Sequence, residues 1–212
     1  MKAPAKDEKG QVMQYLTDLD TLHALYGTPG QASTVKVTDH LIPTYATWIA
    51  RSRFVILTTV GLEGTDASPR GDAGPVVQIL DAQTLALPDW RGNERLDSLR
   101  NILRDGRVSL MFIIPGVNNV LRINGTARLT ADADLRASFA RDGAMPRTVA
   151  VITIAEVYSQ CARALVRSAL WSSGDQSAGI PTVGDMLRDV TDQIDGAAYD
   201  AAWPARAGKT MW

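Results

Sequence analysis

Three arginines crowd one turn of this chain: Arg91, Arg95 and Arg100 stand around Gly92-Asn93 and the short segment after it, alongside Glu94 and Asp97. A glycine and a cap residue placed just ahead of a helix leave backbone N–H groups free and add the positive end of the helix dipole, the combination that holds a phosphate. The chemistry offered here is anion binding. Arg70, on a preceding strand edge, and Arg122, in mid-strand, could converge on the same place if the strands pair in sequence order. The alternative is a solvated basic helix face. Arg122 weighs against it, because a charge between Leu121 and Ile123 in an alternating strand is seldom left without a partner.

The elements that must position these groups follow one another from Ser68 to Leu129 with almost no spacer. After SPRGD (68–72), the apolar runs 76–80 and 84–87 suit strands on either side of the Asp81-Ala82-Gln83 turn, and Pro88-Asp89 ends the second. Asn93 is a good N-cap for a helix reaching about Arg104, with Leu96, Leu99 and Leu103 on one face. Strands over 108–114 and 119–129 follow. Upstream, 53–60 is the first strand and Gly61-Leu62-Glu63-Gly64 its hairpin turn. The return strand contains Pro69, which argues for an edge or a bulge where backbone groups are free to meet a ligand.

Helical spacing predicts a covering helix over 11–26, stopped by Gly27 and Pro29, and a second from Thr38 or Asp39 to Ala50. These helices contain His23 and His40, and a lone helical histidine is more often structural than a metal or haem ligand. Beyond Leu129, a short helix over 130–141 has Thr130 as its cap and Gly143 as its stop, and 148–158 is a long final strand. Arg163 and Arg167 then share a face if their segment is helical. Cys161 has no histidine beside it and suits a buried structural thiol better than a nucleophile. Trp171 suits either stacking on an aromatic ligand or plugging the core. The tail carries a helix over 182–194, and Tyr199, Trp203 and Trp212 suggest that it packs on something.

At 212 residues the chain is long enough to bury a sizeable core, and its net charge of −1 argues against extended nucleic-acid binding. One cysteine excludes an internal disulfide and fits a reducing cytoplasm. With no apolar run of about 18 residues and no signal-peptide pattern at the start, the expectation is a cytoplasmic chain with no membrane partner. The expected organisation is one globular unit: helices over 1–50, a β domain over 51–171 and a helical extension over 172–212.

SPRGD, TLALPD, GNERLDSLRNIL, VSLMFIIPG and LRINGTARL, in that order, resemble the flavin-binding half of the pyridoxamine 5'-phosphate oxidase-like proteins. The element from Cys161 through Ala162-Arg163-Ala164 and Arg167-Ser168 to Leu170-Trp171 is similar to one found in their uncharacterised FMN-dependent branch. The resemblance covers roughly 36–171. It implies a mainly β fold with flanking helices (α+β), an FMN-binding split β-barrel, working as a homodimer with FMN at the subunit interface. It also implies that Ser68, Arg70 and Asp72 lie near the flavin, although Asp72 suits a turn cap equally well. The older oxidases set an Arg-Lys pair on the phosphate near the place where this chain has Asp97-Ser98. That leaves Arg95, the amides around Asn93, Ser98 and Arg100 to hold it. Arg163, Arg167, Ser168 and Trp171 form a second group, with family precedent for reaching the partner's flavin. The implied function is FMN-dependent oxidation or reduction of a small molecule at flavin N5, with Arg70 or Arg122 near the N1–C2 carbonyl edge. The alternatives are a flavin-binding module without turnover, or a relative using deazaflavin or haem.

Overall fold

The computed structural model describes residue 8 and residues 10–211, so the readings made of the remaining N-terminal residues and of Trp212 lie outside it. The chain forms two compact units, Met1–Lys36 and Val37–Trp212. The first contains α1 (Leu19–Leu25) and the four-residue α2 (Gln31–Thr34). A continuous helix over 11–26 is not formed. The Asp18 carboxylate accepts from the Thr21 backbone N–H at 2.7 Å and from its hydroxyl at 2.9 Å, which starts the helix at Leu19. No residue of α1 is buried, so the leucine spacing there marks no core face.

In the second unit α3 (Pro43–Arg51) precedes β1 (Phe54–Gly61), β2 (Gly64–Gly71), β3 (Gln78–Asp81) and β4 (Thr84–Asp89). Then come α4 (Asp97–Arg104), β5 (Arg107–Phe112), β6 (Val120–Thr130), α5 (Ala133–Ala137) and β7 (Thr148–Gln160). Four short helices end the chain: α6 (Arg163–Arg167), α7 (Val183–Val190), α8 (Gly196–Ala201) and α9 (Trp203–Thr210). The strands make one antiparallel sheet in the order β2-β1-β5-β6-β7-β4-β3. This is a mainly β fold with flanking helices, similar to a split barrel but not closed: the edges β2 and β3 are not bonded to each other.

Side chains opposite one another in neighbouring strands share a face, so the register sorts the sheet. Val55 and Leu57 of β1 stand opposite Phe112 and Leu110 of β5, and all four are buried. Leu121, Ile123, Val157 and Ile152 continue this inner face, against which Ile49 of α3 and Ile102 of α4 pack. Burying such aliphatic and aromatic side chains contributes about 1.5–3 kcal/mol each. Between Asn124 and Gly125 the β6–β7 register shifts, and a Cβ at Gly125 would run into the Thr153 carbonyl oxygen. Only glycine lets the two backbones meet at that bulge.

Several boundaries differ from expectation for local reasons. α3 begins at Pro43, whose fixed φ suits the first helical position, while Thr38 pairs with Val157 in a β-bridge. His40 therefore lies ahead of the helix rather than in it. β3 starts at Gln78 because Val76 donates its N–H to Ser52 O at 2.9 Å instead of joining the ladder. α5 is capped by Asp132, which accepts from the Leu135 N–H at 2.9 Å, and not by Thr130, the last residue of β6. The tail folds as three helices: α7 carries a capping box between Thr182 and Asp185 and ends at Val190, short of Ile194. No helix among the described residues is long and apolar enough to cross a membrane.

Candidate functional site

The open seam of the sheet is where the chemistry collects. Edge strand β2 turns Asp66, Ser68 and Arg70 to the inner face, opposite Thr59, Leu57 and Val55. Across the seam from β2 the chain leaves β4 at Asp89 and winds through residues 90–96 into α4. Between the two lies a groove of about 850 Å³, lined by Asp66 to Gly71, by Pro88 to Leu99, and by Val76, Arg147, Thr148 and Met211. Side-chain pairs, rather than a ladder, join its walls, two of them at the end of β4. Arg70 Nη1 meets Asp89 Oδ1 at 2.5 Å, and Trp90 Nε1 donates to Asp72 Oδ2 at 3.1 Å.

The phosphate-type end of the groove is built differently from the expected capped helix. Asn93 is not the N-cap: its side chain accepts the Arg95 backbone N–H at 3.2 Å in an Asx turn, and α4 starts at Asp97. Glu94 and Leu96 take left-handed backbone angles, φ 59° and 62°, and Leu96 in the cap position makes no side-chain cap bond. The first N–H groups of α4 thus have no cap, beside a groove that Arg91, Arg95 and Arg147 also line. The helix is also rotated from expectation. Its buried residues are Ser98, Asn101 and Ile102, while Leu96 and Leu103 are exposed. The polar ones are buried because they have partners: Ser98 donates to Asp66, and Asn101 Nδ2 donates to Thr59 Oγ1 at 3.1 Å.

Four arginines line the groove, Arg70, Arg91, Arg95 and Arg147, and so do four carboxylates, Asp66, Asp89, Glu94 and Asp97. Arg95 is held by Asp97 at 2.8 Å and Arg147 by Glu94 at 2.9 Å. Both pairs are largely exposed, and an exposed pair is worth little, so an incoming anion can exchange for the carboxylate at small cost. The Arg70–Asp89 pair is different, with side chains only 20% and 18% exposed. Arg70 Nε is buried there with no hydrogen-bond partner, a donor left for something else.

Of the residues singled out from sequence, the groove brings together Ser68, Arg70, Arg91, Asn93, Arg95 and Ser98. Asp72 stands just behind it. Its side chain is 3% exposed and accepts from the Gly74 N–H at 3.0 Å, from Trp90 and from Arg141, Nη1 at 2.9 Å. Arg100 is on α4 but outside the groove lining. Arg122 does not converge with Arg70. It stands opposite Met111 and Tyr158 on the outer face, its guanidinium 5.5 Å from the Tyr158 ring centroid and Nη1 3.5 Å from Gln160 Oε1. The register is the reason: Arg70 stands opposite Val55, Val55 opposite Phe112 and Phe112 opposite Leu121, so Arg122, one residue further on, falls on the other face. Arg163, Arg167 and Ser168 lie on or just after α6, all exposed and away from the groove. Trp171 is 37% exposed and donates Nε1–H to Val117 O at 3.0 Å, so it does not plug the core. Cys161 is exposed where β7 gives way to α6, not a buried thiol.

Three groove residues carried no usable signal. Arg147 is far from Arg91 in sequence and arrives because Thr148 pairs with Asp89. Asp89 looked like a strand terminator, and Met211 belongs to the end of the tail. Among the described residues no group of histidine, cysteine and carboxylate side chains is arranged to hold a metal ion.

No curated protein matches the chain. Among solved structures it is similar to HupZ of Group A Streptococcus, at 14% identity and TM-score 0.47 over 56% of this chain and 93% of that one. It is also similar to an F420 reductase, at 15% identity and TM-score 0.42 over 55% and 98%. An FMN-binding protein from Syntrophomonas wolfei matches at 12% identity and TM-score 0.40 over 55% and 80%. A family model described as pyridoxamine 5'-phosphate oxidase matches residues 41–161, which span every strand of the sheet and the whole turn between β4 and α4. The chain belongs to the pyridoxamine 5'-phosphate oxidase family.

Proposed function

We propose that the seam groove holds FMN and that the protein is an oxidoreductase acting on a small molecule. The observation that carries this is the groove itself, in which a buried guanidinium N–H without a partner, the uncapped start of α4 and three further arginines surround a space of about 850 Å³. That size lies within the range of small-molecule and cofactor sites, about 300–1,000 Å³. The residues fit the group. Arg95, the backbone amides at the start of α4 and the Arg91 and Arg147 side chains would hold a phosphate, with Asn93 shaping the turn. Arg100, exposed on the same helix, is the reserve cation. Ser68 and Arg70 on β2 would meet the ring system. Ser98, already bonded to Asp66, would fix the groove floor rather than the ligand.

Bound FMN supplies hydride transfer at N5. The chain's part is orientation and charge. Arg70 is held in place by Asp89, and its spare Nε–H is the donor available to the electron-rich edge of a reduced flavin. Arg122 on the outer face and the α6 group, Arg163, Arg167, Ser168 and Trp171, stand outside the groove. They contribute only in a homodimer, where one subunit delivers them to its partner's groove. A two-fold interface closes an open seam and uses the same patch twice.

The test is an absorption spectrum of the purified protein and its heat-released cofactor. Flavin bands with FMN released support the proposal. A colourless protein that ignores added FMN in fluorescence titration rejects it, and tighter binding of a deazaflavin than of FMN would reassign the cofactor. Reoxidation in air after anaerobic reduction by a donor other than dithionite separates turnover from mere binding.

A further inference from the structure

Asp72 is a carboxylate buried to 3% exposure, yet it is not aimed at the groove. Its oxygens are taken by three donors from three parts of the chain: the Gly74 N–H just beyond β2, the Trp90 indole just beyond β4, and Arg141 in the turn after α5. Its own N–H donates to Arg53 O at 3.0 Å, which fixes the backbone at the end of β2. Trp90, in turn, lines the groove. The ends of β2 and β4 have no ladder between them, because β2 is one edge of the sheet and β4 lies at the other side next to β3. Two side-chain links stand in place of the missing backbone bonds, Arg70 to Asp89 and Asp72 to Trp90.

We propose that Asp72 is a positioning residue: through the Trp90 indole, and anchored from behind by Arg141, it sets the width of the groove and holds its wall ready for the flat ligand. This rests on the assignment of the groove as the flavin site. The chemistry suits the role. An ionised carboxylate is an acceptor only, so it binds an indole N–H, an amide N–H and a guanidinium at once without rearranging a proton. With Asn in its place one of the three donors faces an NH₂ group, and Trp90 or Arg141 is released. A wall that must be re-fixed on binding weakens the ligand by the ordering of one immobilised side chain, about 2- to 13-fold.

The first arm of the test needs no ligand. Protein labelled with 5-fluorotryptophan gives a ¹⁹F signal for each of its five tryptophans, and that of Trp90 is assigned by its loss in Trp90→Phe. Asp72→Asn should shift and broaden the Trp90 signal while the others hold. Arg141→Ala, which keeps the carboxylate, should move the same signal less and guards against a fold defect in the first variant. An unmoved Trp90 signal in both variants overturns the proposal. The second arm measures FMN dissociation constants. Asp72→Asn should weaken FMN by the factor above in the parent protein and by nothing further in Trp90→Phe. Additive losses overturn the role through Trp90. Absence of FMN binding by the parent would reject the groove assignment, while the ¹⁹F arm still decides the clasp.

Discussion

At the scale of single residues, charges in the seam are sorted by how deeply they are set. Arg95 is 75% exposed and leans on Asp97, so the contact proposed for it with a phosphate would be charge-assisted but partly screened. Arg95→Ala should therefore weaken FMN by about tenfold, the low end for a hydrogen bond to a charged group, and leave riboflavin, which has no phosphate, almost unchanged. Titration of both ligands by flavin fluorescence checks this, and equal weakening would move the phosphate to Arg91 or Arg147. Residue types were the most legible part of the site. Ser68, Arg70, Asn93, Arg95 and Ser98, expected near a flavin from the resemblance and the anion-binding turn, line one groove, because each lies within a few residues of the turn or strand edge that makes it. Arg122 lands on the other face from Arg70 because alternation reveals that two strand faces differ without fixing the register that pairs them.

At the scale of elements, α4 shows how a polar face can be the buried one. Asn101 is 8% exposed and holds the Thr59 hydroxyl, itself 1% exposed, while Gly61 leaves room for the Asn101 side chain where a Cβ would collide. Asn101→Ala leaves the Thr59 oxygen buried without this partner and should lower stability by about 1–3 kcal/mol in urea denaturation. Gly61→Ala should also destabilise, and the double variant should be more stable than the sum of the two, since the truncated side chain no longer meets the new methyl. Sequence placed the apolar face of this helix on Leu96, Leu99 and Leu103, yet Leu96 and Leu103 are exposed. The error has a physical source: periodicity finds a stripe but cannot know that Ser98 and Asn101 have waiting partners on β2 and β1. The turn after α4 gives a separate handle. The Arg107 side chain and backbone N–H beside Asp105 hold its carboxyl down, from an ordinary 3.8 to about 2. A depressed folded value means that the pair stabilises above pH 4 and that this contribution is lost as pH falls from about 4 to about 2. An NMR titration should find the Asp105 midpoint near 2, and in Arg107→Ala it should rise toward the ordinary value.

At the scale of the whole molecule, the sheet order decides what one chain can do alone. Seven strands leave an unpaired seam, and the groove in it draws on β2 and the β4–α4 turn, while the cations after β7 lie outside it. A groove open to water would screen Arg70 and expose a reduced cofactor, and a second subunit across it would remove both problems. The shared-site proposal is tested by subunit exchange between Arg95→Ala and Arg167→Ala, each deficient in FMN as a homodimer. If each groove uses Arg95 of one chain and Arg167 of the other, the heterodimer contains one groove with both arginines and one with neither. The heterodimer should then bind about half of the FMN bound by the parent, so that an equimolar mixture after full exchange, half of it heterodimer, binds about a quarter, with a dissociation constant equal to the parent's because the surviving site is complete rather than weakened. If both arginines served one groove within a chain, every groove in the heterodimer would lack one of them. Confirmed exchange with no recovery would then end the shared-site proposal while leaving the groove and its phosphate end in place.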